Sequence, residues 1–262
     1  MGGDGISWKT EPSLAGGGFA SQTIKPRPMR KSVDNPGAPV HTYQLVCMVK
    51  TTSKSLRQPG PPAAKRKLLD ATMALMRKRG YAATTVDEIC AAAKLTKGSF
   101  FHYFEGKEDI AGAALDHYCA LRAKQMSRAA FHRQRDPLER FHEVLDFFAS
   151  QAASTRANSC LLGNVAQELA QTHPQFQRKC ADRFGQMIGM LAEILKAAKV
   201  AHPPAFDFAA EGVAALFVSV LQGSLILSKA RRQKAVTKEN LEHYRRYIES
   251  LFGRARQPQA GA

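Results

Sequence analysis

The sequence predicts an all-α fold, and three observations carry that prediction. From residue 63 onward apolar residues recur three and four positions apart, the spacing that lays them along one face of a helix. No alternating, β-branched run bounded by turn residues interrupts the pattern, so strands are not expected. The breaks between periodic stretches fall on residues that end or start helices: Gly80, Thr85, Thr96, Asp136-Pro137, His173-Pro174 and His202-Pro203-Pro204.

The first helix is marked by the stripe Leu68, Leu69, Thr72, Leu75 and Met76. It ends at Gly80, after Arg77, Lys78 and Arg79, whose charges suit the negative end of a helix dipole. Thr85 with Glu88 three positions on forms a capping box, which starts a short helix that buries Val86, Ile89 and Cys90. Lys94 and Leu95 then make a turn, and Thr96 caps a third short helix running through Phe104. Longer helices are expected at about 107–131, 137–153, 159–171, 174–199, 205–229 and 238–253, with Pro137 and Pro174 in first turns and Thr237 capping the last. No internal repeat period is present, so these helices build a bundle and not a solenoid.

Composition narrows the possibilities further. With 262 residues, 44% of them apolar, the chain has material for a sizeable core. Lys and Arg total 38 against 22 Asp and Glu, a formal charge of +16, which favours a polyanionic partner: nucleic acid first, a membrane surface second. The longest apolar run, residues 212–227, is broken by Gln222 and two serines and falls short of the ~20 residues that span a bilayer. A membrane-spanning protein is therefore not expected, and with nucleic acid as the leading partner no membrane partner is expected either. The five cysteines are odd in number and never spaced Cys-x-x-Cys, which argues against a disulfide framework or a zinc site; no other metal and no cofactor is expected. The stretch before Tyr43 lacks the basic-then-apolar order of a secretory signal. A cytoplasmic protein with free thiols is the expectation.

Residues 1–61 hold Gly, Pro, Ser, Lys and Arg in no period, and this composition does not offset its own ordering entropy. They read as a disordered basic tail, with a second at 255–262. Met48, followed by Val49-Lys50-Thr51-Thr52-Ser53-Lys54, is a candidate natural start; a genuine long tail is the alternative. Between the tails, residues 62–106 form a three-helix unit and residues 107–254 a larger one.

Residues 85–104 have the form of a helix-turn-helix. A recognition helix must carry small and polar groups at its amino end to enter the major groove, while its opposite face anchors to the core of the module. Thr96, Lys97, Gly98 and Ser99 meet the first need, and Phe100 and Phe104, four apart, meet the second. Gly98 is costly inside a helix but permits close approach to a phosphate backbone, where Lys97 supplies charge. His102 and Tyr103 are candidates for base-edge and phosphate contacts, and Thr85, at the start of the preceding helix, completes the candidate DNA-facing set.

This stretch, with Lys107-Glu108 just after it, resembles the amino-terminal domain of the TetR family of bacterial transcriptional regulators, which carry a Lys-Gly-Ser-aromatic-Tyr-His-Tyr-Phe signature. The resemblance runs from Leu68-Leu69-Asp70-Ala71 through Gly80-Tyr81 and Thr84-Thr85-Val86 to Lys107. It implies a homodimer, a three-helix DNA-binding domain, and a carboxy-terminal bundle that binds a small-molecule inducer and forms the dimer interface. Phe101 stands where the family usually has tyrosine, so affinity is expected to lean on Lys97, Tyr103 and Lys107.

A second element, Asn158-Ser159-Cys160-Leu161-Leu162-Gly163-Asn164-Val165-Ala166-Gln167-Glu168-Leu169, resembles the Gly-Cys-Leu-x-Gly-Asn-Leu-x-x-Glu element of one TetR subgroup, which includes repressors that sense reactive electrophiles or acrylate-like compounds. Ser159 replaces the usual glycine. The subgroup also carries a lysine six residues after a glycine in its penultimate helix, a spacing held here by Gly223 and Lys229. The resemblance makes Cys160, Asn164, Gln167 and Lys229 candidate ligand or sensing residues. Phe147 is a further candidate, although Phe141, Phe147 and Phe148 read first as core.

The apolar residues Phe217, Val218, Leu221, Leu225, Tyr244, Tyr247, Ile248 and Leu251 exceed what one face of a lone helix requires, and they are expected to form a four-helix dimer interface. Lys65, Arg66 and Lys67 read equally as a phosphate-binding arm or a solvated charge run, and Arg231, Arg232 and Lys234 as a solubilising loop. Against a TetR-type repressor of a palindromic operator stand two alternatives. One is an architectural DNA binder without a ligand. The other is a thiol enzyme at Cys160, for which no histidine-containing signature, phosphate loop or carboxylate pair supplies catalytic residues.

Overall fold

The computed structural model describes residues 62–154 and 159–254. The two tails, Met48 and Cys47 lie outside the described residues, as does Asn158. Among the described residues the chain forms nine α-helices and one 3-10 turn and no strand: α1 Ala63–Arg79, α2 Val86–Ala93, α3 Lys97–Phe101, α4 Lys107–Ser127, the 3-10 turn Ala130–Arg133, α5 Pro137–Ala153, α6 Leu161–Leu169, α7 Pro174–Ala201, α8 Ala210–Arg231 and α9 Ala235–Leu251. The all-α expectation holds.

Most helix ends follow the expected chemistry. Gly80 has φ +90° and its amide donates to the Met76 carbonyl, closing α1 in a conformation that favours glycine. Thr85 and Glu88 form a full capping box. Thr96 Oγ1 accepts the Ser99 amide, and Asp136 Oδ1 accepts the amides of Leu138 and Glu139 with Pro137 in the first turn. Between α2 and α3, Lys94 takes the left-handed conformation at φ 56°. The Leu95 amide reaches back to the Cys90 carbonyl, which makes the tight helix-turn-helix corner.

Several boundaries differ from those expected. The third helix stops at Phe101; His102 and Tyr103 form a turn, and the amides of Tyr103 and Phe104 both bond to the Phe100 carbonyl. The helix expected to reach residue 131 ends at Ser127, and Phe131 is buried from the separate 3-10 turn. The helices expected at 159 and 205 begin at Leu161 and Ala210. Thr237 does not cap α9. The chain turns at Arg232, φ 54°, and enters the helix at Ala235, which leaves Thr237 inside with a buried hydroxyl that has no hydrogen-bond partner.

Three apolar clusters organise the fold. One joins α1, α2 and α3 through Leu68, Leu69, Ile89, Cys90 and Phe100, with Ile110 and Ala114 from the first turns of α4. A second packs α5, α7, α8 and α9 around Phe141, Phe148, Leu195, Phe217, Tyr244 and Ile248. The third lies between them, where Met76 of α1, Ala111 and Leu115 of α4, Leu161 and Val165 of α6, and Phe176 and Cys180 of α7 meet. Continuous apolar area of this kind, at about 25 cal/mol per Å² buried, ties the pieces into one body.

At 22 residues, α8 is long and apolar enough by length and composition to cross a membrane, a length the interrupted run 212–227 did not suggest. Its Val213, Ala214, Phe217, Leu221 and Leu225 are instead buried against the rest of the chain, as in the central helix of a bundle.

Candidate nucleic-acid interface and sensing residues

Helix α3 is short and its two faces differ sharply. Phe100 is fully buried and Phe104 nearly so, with ring centroids 5.8 Å apart, and both anchor the helix to α1 and α4. Thr96, Lys97, Gly98, Phe101 and His102 face solvent, while Ser99 and Tyr103 are half-buried. Phe101 is 58% exposed. The ring keeps an edge contact with Phe100 at 5.2 Å between centroids, and its exposed part, beside a cation, a glycine and an imidazole, suits contact with sugar or base surfaces.

Charges around α3 are held loosely. Lys97 pairs with Asp87 at 2.7 Å, with both side chains largely in solvent. Such a pair contributes little and exchanges readily for a phosphate. Thr85 is exposed but engaged in its capping box, and hydrogen bonds from Thr85 hold the Glu88 carboxyl below the usual carboxylate range. Lys65 lies over the Phe104 ring at 5.3 Å.

Lys107 is placed differently from the rest of the set. Its ammonium donates to the Ala82 carbonyl at 3.0 Å and sits 4.3 Å from the centre of the Tyr81 ring, which ties the first turn of α4 to the α1–α2 turn.

The sensing candidates divide into two groups. Cys160, the residue before α6, is half-buried, and the Tyr118 hydroxyl of α4 points at its sulfur at 3.8 Å. Burial raises the Tyr118 pKa well above the ordinary phenol value. Ser159 donates to the Arg77 carbonyl at the end of α1. Gly163, one turn into α6, lies so close to the Gln222 side chain of α8 that a Cβ would collide with it. Asn164 is half-buried in the same turn, whereas Gln167 is exposed and bonds back to the Gly163 carbonyl of its own helix. Lys229 is exposed in the last turn of α8, about two turns beyond Gln222, the α8 residue that reaches α6. Phe147 is half-buried at the edge of the main core, ring to ring with Phe131 and Phe148.

Sequence reasoning missed three residues that this geometry brings forward. Tyr118 and Gln222 carry no signal in the sequence, since only the crossing of α4, α6 and α8 sets them beside Cys160. Glu168 did carry one, as the last member of the Gly163-Asn164 element, and its carboxylate accepts the amides of Tyr81 and Ala82 at 2.6 Å each.

A tight helix-turn-helix that presents a polar and basic short helix on a larger helical bundle defines a helix-turn-helix DNA-binding regulator. Residues 68–114 match the family model for bacterial regulatory proteins of the tetR family, and residues 137–240 match that of the LmrA/YxaF-like transcriptional regulator C-terminal domain. The chain carries the amino-terminal helix-turn-helix domain and a carboxy-terminal domain of TetR-family regulators. It is 28% identical over 184 residues to an uncharacterized HTH-type transcriptional regulator of Lactococcus lactis, covering 68% of this chain and 89% of that one. It is 24% identical over 157 residues to the HTH-type transcriptional repressor DhaR of a Mycobacterium species, covering 60% and 78%. A TetR regulatory protein from Rhodobacter sphaeroides has the same fold, with a TM-score of 0.62 over 71% of this chain and 99% of that one at 23% identity. These relatives are regulators and not enzymes.

Proposed function

We propose that the chain is a dimeric repressor that binds a two-fold-symmetric operator through α3 and leaves it when a small molecule enters the carboxy-terminal bundle. The observation that carries this reading is the split of α3 into a buried Phe100/Phe104 anchor and an exposed face of Thr96, Lys97, Gly98, Phe101 and His102. A relative described as a repressor supports the sign of regulation. Such a protein works in the cytoplasm, where its DNA is.

The dimer face in this proposal lies on α8 and α9, but of the residues first expected there Tyr247 alone is exposed. Phe217, Val218, Leu221, Leu225, Tyr244, Ile248 and Leu251 are buried within the chain. Leu216, Leu227 and Tyr247 are left exposed beside Val220 and Gly223, and they line an open apolar groove with Asn240 and His243. A second copy covering this face would complete a four-helix interface.

The inducer class we propose is a reactive electrophile that modifies Cys160. Burial pushes the Cys119 and Cys180 thiols up to about 11, which keeps both protonated and slow at neutral pH. Cys160 adjoins α1 through Ser159 and α8 through Gly163, so an adduct there strains both. Selection from random duplex DNA should enrich a palindrome, and N-ethylmaleimide should release it from the wild type but not from Cys160→Ser. No enriched two-fold site would sink the repressor reading. Equal release from both proteins would leave a non-covalent ligand as the better account.

A further inference from the structure

The turn between α1 and α2 has no partner of its own for two adjacent amides. Gly80, at φ +90°, swings the chain so that the N–H groups of Tyr81 and Ala82 point the same way, out of the turn. Both are taken by one carboxylate, that of Glu168, in the last turn of α6 and 86 and 87 residues further along the chain. A Cβ at position 80 would meet Glu168 Oε2 at 2.9 Å, so glycine is needed there both for the backbone and for the approach of the carboxylate. The carbonyl side of the same turn is held by Lys107 on Ala82, and Tyr81 is flanked by His173 and Phe176 of the α6–α7 corner. Three residues beyond Ala82, Thr85 begins the capping box of α2, and α2 leads directly into α3.

We propose that Glu168 is a positioning residue: by gripping the Tyr81 and Ala82 amides it sets the angle at which the helix-turn-helix is held on the bundle, and so the fit of α3 to its operator. This rests on the operator-binding reading above. Carboxylate bonds to backbone amides are short and directional, so this grip fixes orientation as well as contact. Helix α6 carries Cys160 at its start and Glu168 at its end, about 12 Å apart along a helix of this length. Between them the end of the Gln222 side chain occupies the space that a Cβ on Gly163 would need. A displacement at one end of so short a helix is delivered at the other.

The test uses the full chain with Glu168→Ala and Glu168→Gln, and two readouts. Hydrogen exchange at the Tyr81 and Ala82 amides, without DNA, should be slow in the wild type, fast at both in Glu168→Ala, and slow at no more than one in Glu168→Gln, whose side chain keeps a single accepting oxygen. Fluorescence anisotropy should show about tenfold weaker binding of Glu168→Ala to the selected operator, within the usual range of coupling between sites, and a smaller loss for Glu168→Gln. Affinity for a scrambled duplex should stay within about twofold, because Glu168 belongs to α6 and not to the candidate DNA-facing set. Unchanged exchange in Glu168→Ala, or equal losses on operator and scrambled duplex, overturns the proposal. If the wild type selects no operator, the operator-binding reading fails on its own, and the exchange comparison still upholds or overturns the grip.

Discussion

At position 98 a Cβ would meet only Thr96 Oγ1 at 3.7 Å, so alanine fits the fold there as well as glycine does. Gly98→Ala should therefore leave the melting temperature unchanged or raise stability by roughly 0.5 kcal/mol, while weakening operator binding by crowding the phosphate backbone. Opposite signs in a melt and a binding titration would place the requirement for glycine outside the chain; a destabilised variant would place it inside. A second residue gives a pH test. Asp136 caps α5, and its carboxyl is held below the usual carboxylate range, first by the Glu139 amide and then by His202 at 2.5 Å. A lowered folded pKa contributes stability that is present above the unfolded value near 4 and lost as the pH falls through the folded value. Asp136→Ala should cost about 1 kcal/mol at neutral pH. In urea melts between pH 7 and pH 2.5 the gap from wild type should close only below about pH 4; a gap that stays constant in acid would mean the cap does not act through its charge.

At the scale of the element, α8 separates two roles that its composition runs together. Leu221→Glu buries a charge in the main core and should abolish folding, whereas Leu216→Glu or Leu227→Glu, on the exposed face, should give folded monomers by sedimentation. A folded dimer from both of these variants would move the interface elsewhere. Helix existence, most caps and the anchor of α3 were legible in the sequence, because periodicity, Gly80, Thr85 and Asp136 act on neighbours close in the chain. Which face of α8 is covered within one chain was not legible. All sides of that helix carry apolar residues, and only its packing on α5, α7 and α9 decides between them. The same limit hid Tyr118 beside Cys160, 42 residues away, and kept Lys229 in the sensing set on spacing alone. Thr237 misled because a good capping residue is a signal only where the chain leaves the helical conformation, and it does so earlier, at Arg232.

For the whole molecule the net charge of +16 makes binding strongly dependent on salt. A dimer that neutralises roughly 6 to 10 phosphates should lose about 10³ to 10⁵ in affinity between 50 and 200 mM salt, read from anisotropy titrations. A flat response would rule out phosphate contacts as the main source of binding. The way α4 is shared between clusters has a practical result for recombining such regulators. Ile110 and Ala114 complete the core under the helix-turn-helix, while Ala111 and Leu115, on the adjoining face, belong to the core beneath α6. A hybrid regulator joined between residues 106 and 107 would give its transplanted reading head a foreign floor, and one joined after Leu115 would carry the native floor with it but meet a foreign α6. The seam that keeps both floors must include the α6 partner surface as well, so specificity in this chain is expected to transfer only when Glu168 and the residues around it travel with the head.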